Sequence, residues 1–331
     1  MGIATAARPY APGLALLAGG AALATVIGGS VDALSPLVVA VVVGVVVGNT
    51  AGTPDAAEPG VGVGTLFLET GIVLLGAAVV VKEFLAAGPT VLGLVLVTVA
   101  GGLLLAEGIA RLLFRVGKPT SSLLAAGASI CGVSAVVAVG RVLDARGSAI
   151  TLAAGTVLLF DAVTLVAFPL AGEWFGLSSR EFGVWAGLSM FSTGPVAAAG
   201  FAHSPEAGQW ATVTKLARNA LLGGVAIAYS VAYTARSATE PSVRRLWTEF
   251  PKFLLGFLVV AAVANSGLLS AAALDSIGVV SDTLFTLAFV GLGLSIRFRE
   301  MREVGGAAVS VILVHLLVVS ALALVAVRWL L

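Results

Sequence analysis

The sequence predicts an all-α integral membrane protein of about nine to eleven transmembrane helices, with inverted-topology repeats and two discontinuous (broken or re-entrant) helical elements. Three observations carry this reading. The 331 residues are 59% hydrophobic and 11% charged, with a mean hydropathy of +1.10, too apolar for a soluble domain of this length to cover with polar surface. Apolar runs of near-crossing length recur along the whole chain. Two of these runs are interrupted by small, turn-prone and weakly polar residues, and a bilayer tolerates broken helix only against protein or a water-filled cavity.

At roughly 20 residues per crossing, apolar segments fall near 12–29, 33–50, 61–81, 89–114, 121–142, 148–170, 182–201, 211–234, 251–270, 276–296 and 305–330. Turn-forming residues separate them at Thr53-Pro54-Asp55, Glu58-Pro59-Gly60, Gly117-Lys118-Pro119, Asp144-Ala145-Arg146-Gly147 and Ser237 to Pro241. The first run lacks a strongly basic n-region and reads as a membrane helix, not a cleavable signal. The longest polar stretch, Arg236 to Glu249, is too short for a soluble domain, so residues 1–331 read as a single polytopic membrane domain. Gly44 and Gly48 form a small-xxx-small pair suited to close helix packing.

A formal net charge of +1 offers no basic field for nucleic acid. The single cysteine, Cys131, excludes an intramolecular disulfide framework and a CxxC metal pair, and no cofactor or metal site is expected. If every segment crosses and the N-terminus is cytoplasmic, twelve Lys and Arg residues fall inside and six outside, which predicts a cytoplasmic N-terminus and an external C-terminus.

Two self-similarities add internal symmetry. Leu75-Gly76, Lys82-Glu83 and Gly88 match Leu292-Gly293, Arg299-Glu300 and Gly305 without a gap, so segments 71–88 and 288–305 are related and their loops fall on opposite faces. That is the pattern of an inverted repeat. Gly127, Ser129, Val136, Ala138 and Gly140 match Gly187, Ser189, Val196, Ala198 and Gly200, which pairs the discontinuous segments 121–145 and 182–201. Read as re-entrant hairpins, the pair enters from opposite faces and the charge count becomes thirteen against five. Read as crossing helices, it stays at twelve against six, so charge alone leaves both forms open.

Segments Gly71 to Gly76, Ala126 to Ala135 (containing Ile130-Cys131-Gly132-Val133-Ser134-Ala135), Ala211 to Arg218 and Phe250 to Phe257 resemble the YeiH-type family of candidate sulfate exporters, in an order and spacing that cover most of the chain. The resemblance implies the cation/proton antiporter and bile-acid symporter superfamily, with inverted repeats, paired discontinuous helices and placement in a prokaryotic plasma or inner membrane. The chain departs from that family at Phe191, Ser192 and Pro195, where a His-Asp pair with a nearby Gln is usual, and at Val133, where a small polar residue is common.

Lys215 and Arg218 lie three apart on one helical face and can hold an oxyanion, one as a point charge and one as a planar fork; the plainer alternative is interfacial anchoring. Ser129, Ser134, Ser192 and Thr193 supply hydroxyl donors at the two breaks, where half-helix N-termini present positive dipole ends, and Cys131 and Gly132 complete the first break. Asp161, near mid-span, is the candidate for ion coupling or for a counter-charge to the basic pair. His315 is read as a hydrogen-bonded structural histidine, and Glu69 and Asp282 as packing or interface groups.

Catalysis is not expected. No phosphate-cradling GxxxxGK[ST] occurs, a fixed Ser–His pair cannot be inferred from His203 and His315 alone, and Cys131 lacks an evident base. The expected function is secondary active transport by alternating access, exporting a small anion such as sulfate or a related oxyanion, with lipid and a coupling proton or sodium as partners and homo-oligomerisation open. The alternatives are a sodium/proton-type cation antiporter centred on Asp161, and a non-transporting receptor or scaffold with a closed core and no polar cavity beside Gly132.

Overall fold

The computed structural model describes residues 9–30, 35–79, 81–234, 252–297 and 305–331, all helix, turn or loop, with no strand among them. The helices are α1 (Ala11–Ser30), α2 (Pro36–Thr50), α3 (Glu58–Gly62), α4 (Gly64–Leu75), α5 (Val81–Gly108), α6 (Lys118–Ser129), α7 (Val133–Val142), α8 (Gly147–Trp174), α9 (Ser179–Ser189), α10 (Thr193–His203), α11 (Pro205–Ala220), α12 (Leu222–Thr234), α13 (Phe253–Asn265), α14 (Ala271–Ser295) and α15 (Gly306–Leu330). A 3-10 turn over Gly76–Ala78 extends α4, and a π-helical turn over Ile109–Leu113 ends α5. Among the described residues, six helical stretches are long and apolar enough to cross a membrane, and α2, α7 and α13 are shorter apolar helices. Arg299 and Glu300 of the repeated loop, Phe250 and Pro251, and the stretch Arg236 to Glu249 lie outside the described residues, as do the side chains of Lys82 and Glu83.

The chain forms two compact units, each drawn from two separate stretches: Met1–Phe84 with Lys252–Phe298, and Leu85–Pro251 with Arg299–Leu331. In the first unit α14 packs on α1, α2 and α4, and α13 packs on α4. With no apolar driving force between helices in lipid, close backbone approach must supply much of the attraction. Gly44 and Gly293 provide it: a Cβ on Gly293 would meet Val41 O at 2.2 Å and Gly44 Cα at 2.8 Å, while Gly48 lies against Leu294. Asn49 Nδ2 donates to Ile296 O at 2.7 Å and Asn265 Nδ2 to Val79 O at 2.8 Å, tying loop carbonyls to helix ends.

The second unit is built from two helical hairpins. In α6–α7 the arms fold back on one another: a Cβ on Gly127 would lie 2.7 Å from Val136 Cγ2, and one on Gly140 would lie 3.6 Å from Leu123 Cδ2. In α9–α10 the open ends meet, with Phe182 stacked on His203 at 4.2 Å and Ser204 Oγ donating to Ser179 Oγ at 2.9 Å. Each discontinuous element is thus a helical hairpin whose two arms fold back on one another. Helix α8 packs against both arms of the first hairpin and against α10; α11 packs against both arms of the second.

One expected segment is redrawn. The run read as a single span from 211 to 234 begins earlier, at Pro205, where Ser204 Oγ caps Ala207 N–H at 3.0 Å, and is divided by a tight turn at Leu221. There Leu221 N–H bonds Arg218 O at 3.1 Å in a three-residue step.

Gly293→Ala is expected to lower stability by about 1–3 kcal/mol, because the new methyl has only backbone to displace. Gly278→Ala on the same helix, where nothing lies within 4 Å, is expected to be neutral or mildly stabilising. Thermal unfolding of the purified variants in detergent compares the two.

Candidate functional site

The two hairpins meet at their tips. Helix α6 ends at Ser129 and α7 starts at Val133; α9 ends at Ser189 and α10 starts at Thr193, so the offset of 60 residues seen in the sequence repeat separates both pairs of helix ends. Gly132 holds φ +67° and ψ −133°, a conformation open in practice only to glycine. Contact with the other tip forbids a side chain as well, since a Cβ there would sit 2.0 Å from Ser192 Oγ.

Stopping α6 and α9 inside the protein leaves their last carbonyls without helical partners. Lys215 and Arg218, on one face of α11, bond those carbonyls. Lys215 Nζ donates to Ile130 O at 2.6 Å and Met190 O at 3.1 Å, two positions related by the repeat offset. Arg218 Nη1 donates to Gly187 O at 2.8 Å, Leu188 O at 2.7 Å and Met190 O at 2.8 Å. Its Nη2 reaches Ala128 O at 3.1 Å and its Nε reaches Ser129 O at 3.3 Å. Both side chains are sealed, with Lys215 at 0% and Arg218 at 1% exposure, so they contact backbone and are not open to a cargo in this conformation. α11 comes this close because α9 presents bare backbone to it: a Cβ on Gly183 would meet Ala207 O at 2.6 Å, and one on Gly187 would meet Ala211 O at 2.9 Å.

The N-terminal ends of α7 and α10 face the opposite condition. Their first N–H groups, at Val133, Ser134, Thr193 and Gly194, have no backbone acceptor among the described residues. Asp161 of α8 addresses one end, its Oδ1 accepting Ser192 N–H at 3.0 Å, and Asn219 Nδ2 of α11 donates to Thr193 Oγ1 at 2.9 Å. Asp161 is buried, its second oxygen has no hydrogen-bond partner among the described residues, and it lies within electrostatic reach of Lys215. Ser192 and Thr193 are partly exposed and Ser134 is exposed, so this side of the tips is the accessible one. Cys131 is buried in the first tip.

Ser129 Oγ is buried and has no hydrogen-bond partner among the described residues; nor does Ser189 Oγ. A Cβ on Gly102 of α5 would lie 3.0 Å from Ser129 Oγ and 3.2 Å from His315 Nε2, which places those two polar groups around one patch of bare helix. His315 is buried beside the bare backbone of Gly102, and its ring lies 6.4 Å from that of Phe191. Phe191 is buried and meets Phe160 edge-on, centroids 6.3 Å apart. Sequence reasoning did not find Asn219, whose role depends on a partner 26 residues away.

Fold and site together define a multi-pass, all-α membrane protein with a pair of tip-to-tip helical hairpins. A family model described as conserved hypothetical protein 698 matches residues 12–312. A membrane protein of the UPF0324 family from Nitratidesulfovibrio vulgaris is 30% identical over 312 residues, covering 89% of this chain and 86% of the relative. Another from Corynebacterium glutamicum is 31% identical, covering 90% and 86%. A third, named TauZ, from Paracoccus denitrificans, is 33% identical, covering 74% and 73%. The chain belongs to this family, UPF0324, the YeiH-type membrane proteins. No solved structure matches it.

Arg218→Lys is expected to cost on the order of 3 kcal/mol or more, because a single ammonium replaces a fork engaged by all three nitrogens and strands several carbonyls. Arg141→Lys, at an exposed position, is expected to be silent. Detergent thermal unfolding measured side by side checks the difference.

Proposed function

We propose that this protein is a secondary transporter that carries a small anion, sulfate or a related oxyanion, outward by alternating access. The observation that supports this reading is the convergence of two half-helix N-termini on the accessible side of the tips, backed by two buried cations and opposed by a single buried carboxylate. Helix N-termini attract anions through aligned peptide dipoles and unbonded N–H groups. A tetrahedral oxyanion needs several donors at once, and the N–H groups of Val133, Ser134, Thr193 and Gly194 with the hydroxyls of Ser134, Ser192 and Thr193 provide them. Gly132 keeps the tip low enough for approach. Lys215 and Arg218 contribute charge from behind the tips without touching the cargo, and Ser129 and Cys131 line the sealed side.

In this reading Asp161 is a built-in anion on the α10 N-terminus that competes with cargo and responds to a coupling proton or sodium ion. Its unpartnered buried oxygen also supports a second reading, cation antiport with Asp161 as the ligand. The hairpin form of the charge count, thirteen against five, favours a cytoplasmic N-terminus and an external C-terminus in a plasma or inner membrane. Transport, not catalysis, is the activity assigned.

Proteoliposomes loaded with labelled sulfate, sulfite or a small organic sulfonate, with and without proton and sodium gradients, test the proposal. Flux of at least one anion is expected, with Ser192→Ala and Thr193→Ala each reducing it about tenfold, the equivalent of one neutral-to-charged hydrogen bond. Asp161→Asn is expected to alter gradient dependence while anion flux persists. Absence of anion flux together with sodium or proton exchange abolished by Asp161→Asn would establish the antiporter instead.

A further inference from the structure

Away from the hairpin tips, the second unit contains an open cavity of about 620 Å³ between α5 and α12. Its two ends differ in chemistry. One is apolar, formed by Leu103, Leu104 and Val225, with Leu104 at 75% exposure opening the flank to the surroundings. The other is polar, formed by Glu107, Arg111, Lys118, Tyr229 and Tyr233, where the π-helical turn ends α5 and the break before α6 follows.

The carboxylate at the polar end is already spent. Glu107 Oε2 pairs with Arg111 Nη2 at 2.5 Å, and Glu107 Oε1 accepts from Ser122 Oγ at 2.5 Å and Tyr229 OH at 3.0 Å. Arg111 Nη2 also reaches Tyr233 OH at 3.3 Å, and Tyr233 OH donates to Lys118 O at 3.0 Å. Two donors remain unmatched among the described residues: Arg111 Nε–H, which is buried without an acceptor, and the exposed Lys118 ammonium, which no carboxylate pairs. With two cations against one carboxylate, the polar end is a net acceptor of negative charge. The gradient from basic end to apolar end runs along α5, which is long and apolar enough to cross a membrane, in the same order in which a phospholipid presents phosphate and acyl chain.

We propose that this cavity binds an anionic phospholipid, its phosphate facing Lys118 and Arg111 and its acyl chains lying on Leu103, Leu104 and Val225. Tyr233 OH accepts from Arg111 Nη2, and Glu107, which itself accepts from Tyr229 OH, pairs with Arg111, so both hold Arg111 in place for that contact. Neither the hairpin tips nor the transport reading is needed for this site, so it stands or falls separately.

The full-length protein, delipidated in detergent, is titrated with labelled phosphatidylglycerol, then with phosphatidylcholine and inorganic phosphate as competitors. Phosphatidylglycerol is expected to bind at least about fivefold more tightly than phosphatidylcholine, and Lys118→Ala to weaken it about fivefold, the effect of one surface cation on an anionic headgroup. Leu104→Trp is expected to block binding by filling the apolar end. Leu170→Trp, at an exposed position of α8 outside the cavity, is expected to leave it unchanged. Equal affinity for the two lipids, or indifference to both Lys118→Ala and Leu104→Trp, would overturn the proposal. So would displacement by inorganic phosphate at matched concentration, which would make this a soluble-anion site.

Discussion

A helix that stops inside a membrane protein leaves carbonyl oxygens that neither water nor lipid can satisfy, and here one face of one helix answers for two such ends. Seven hydrogen bonds from Lys215 and Arg218 reach the terminal carbonyls of α6 and α9. Burying a cation costs several kcal/mol even after relaxation. A hydrogen bond with a charged donor returns about 1.5–3 kcal/mol. The arrangement therefore holds only if each cation makes several bonds at once, which Arg218 achieves with every nitrogen of its fork. That requirement propagates outward. It demands that α11 lie against α9, hence the bare backbone at Gly183 and Gly187, and it demands that the two tips coincide, hence the glycine-only geometry at Gly132.

The same contacts divide the tips into two chemically distinct sides. Carbonyl ends point at buried cations, and amide ends point at the side where Ser134 is exposed and Ser192 and Thr193 are partly so. Asp161 offsets part of the positive field by accepting Ser192 N–H, and the carbonyl ends of α6 and α9 take up part of the charge of Lys215 and Arg218. Under the proposed transport, an anion is favoured because the amide ends of α7 and α10 lie on the accessible side while the carbonyl ends are bonded on the sealed one.

The breaks were legible in the sequence because conformation leaves a residue signature: Gly132 and the Ser192 to Pro195 cluster interrupt apolar text, and the shared offset of Ser129 and Ser189 marks them as a pair. Hairpin form was not legible, because moving three basic residues across the membrane changes the charge count too little to decide. Lys215 and Arg218 were recognisable as a shared face, but their partners are backbone carbonyls, which any sequence could supply, so the spacing pointed toward a cargo where the structure places carbonyls. The turn at Leu221 is hidden for a related reason: an apolar residue in an apolar run carries no sign of a three-residue hydrogen bond. Glu107, Ser122 and Tyr229 come together across gaps of 15 and 122 residues, beyond any local pattern.

The two units are held together internally by different physics, and the difference bears on the proposed transport. In the first, bare backbone at Gly44 meets bare backbone at Gly293, a contact made without side chains. In the second, charge meets carbonyl at one point, and every group that defines that point belongs to the same unit: both hairpins, Asp161, Lys215, Arg218 and Asn219. A site assembled wholly within one compact unit would not have to be rebuilt if that unit moved. The proposed alternating access asks for such a site, one whose electrostatics persist while its exposure changes, and the carbonyl clamp suits that demand because it fixes the tips through bonds made on the sealed side.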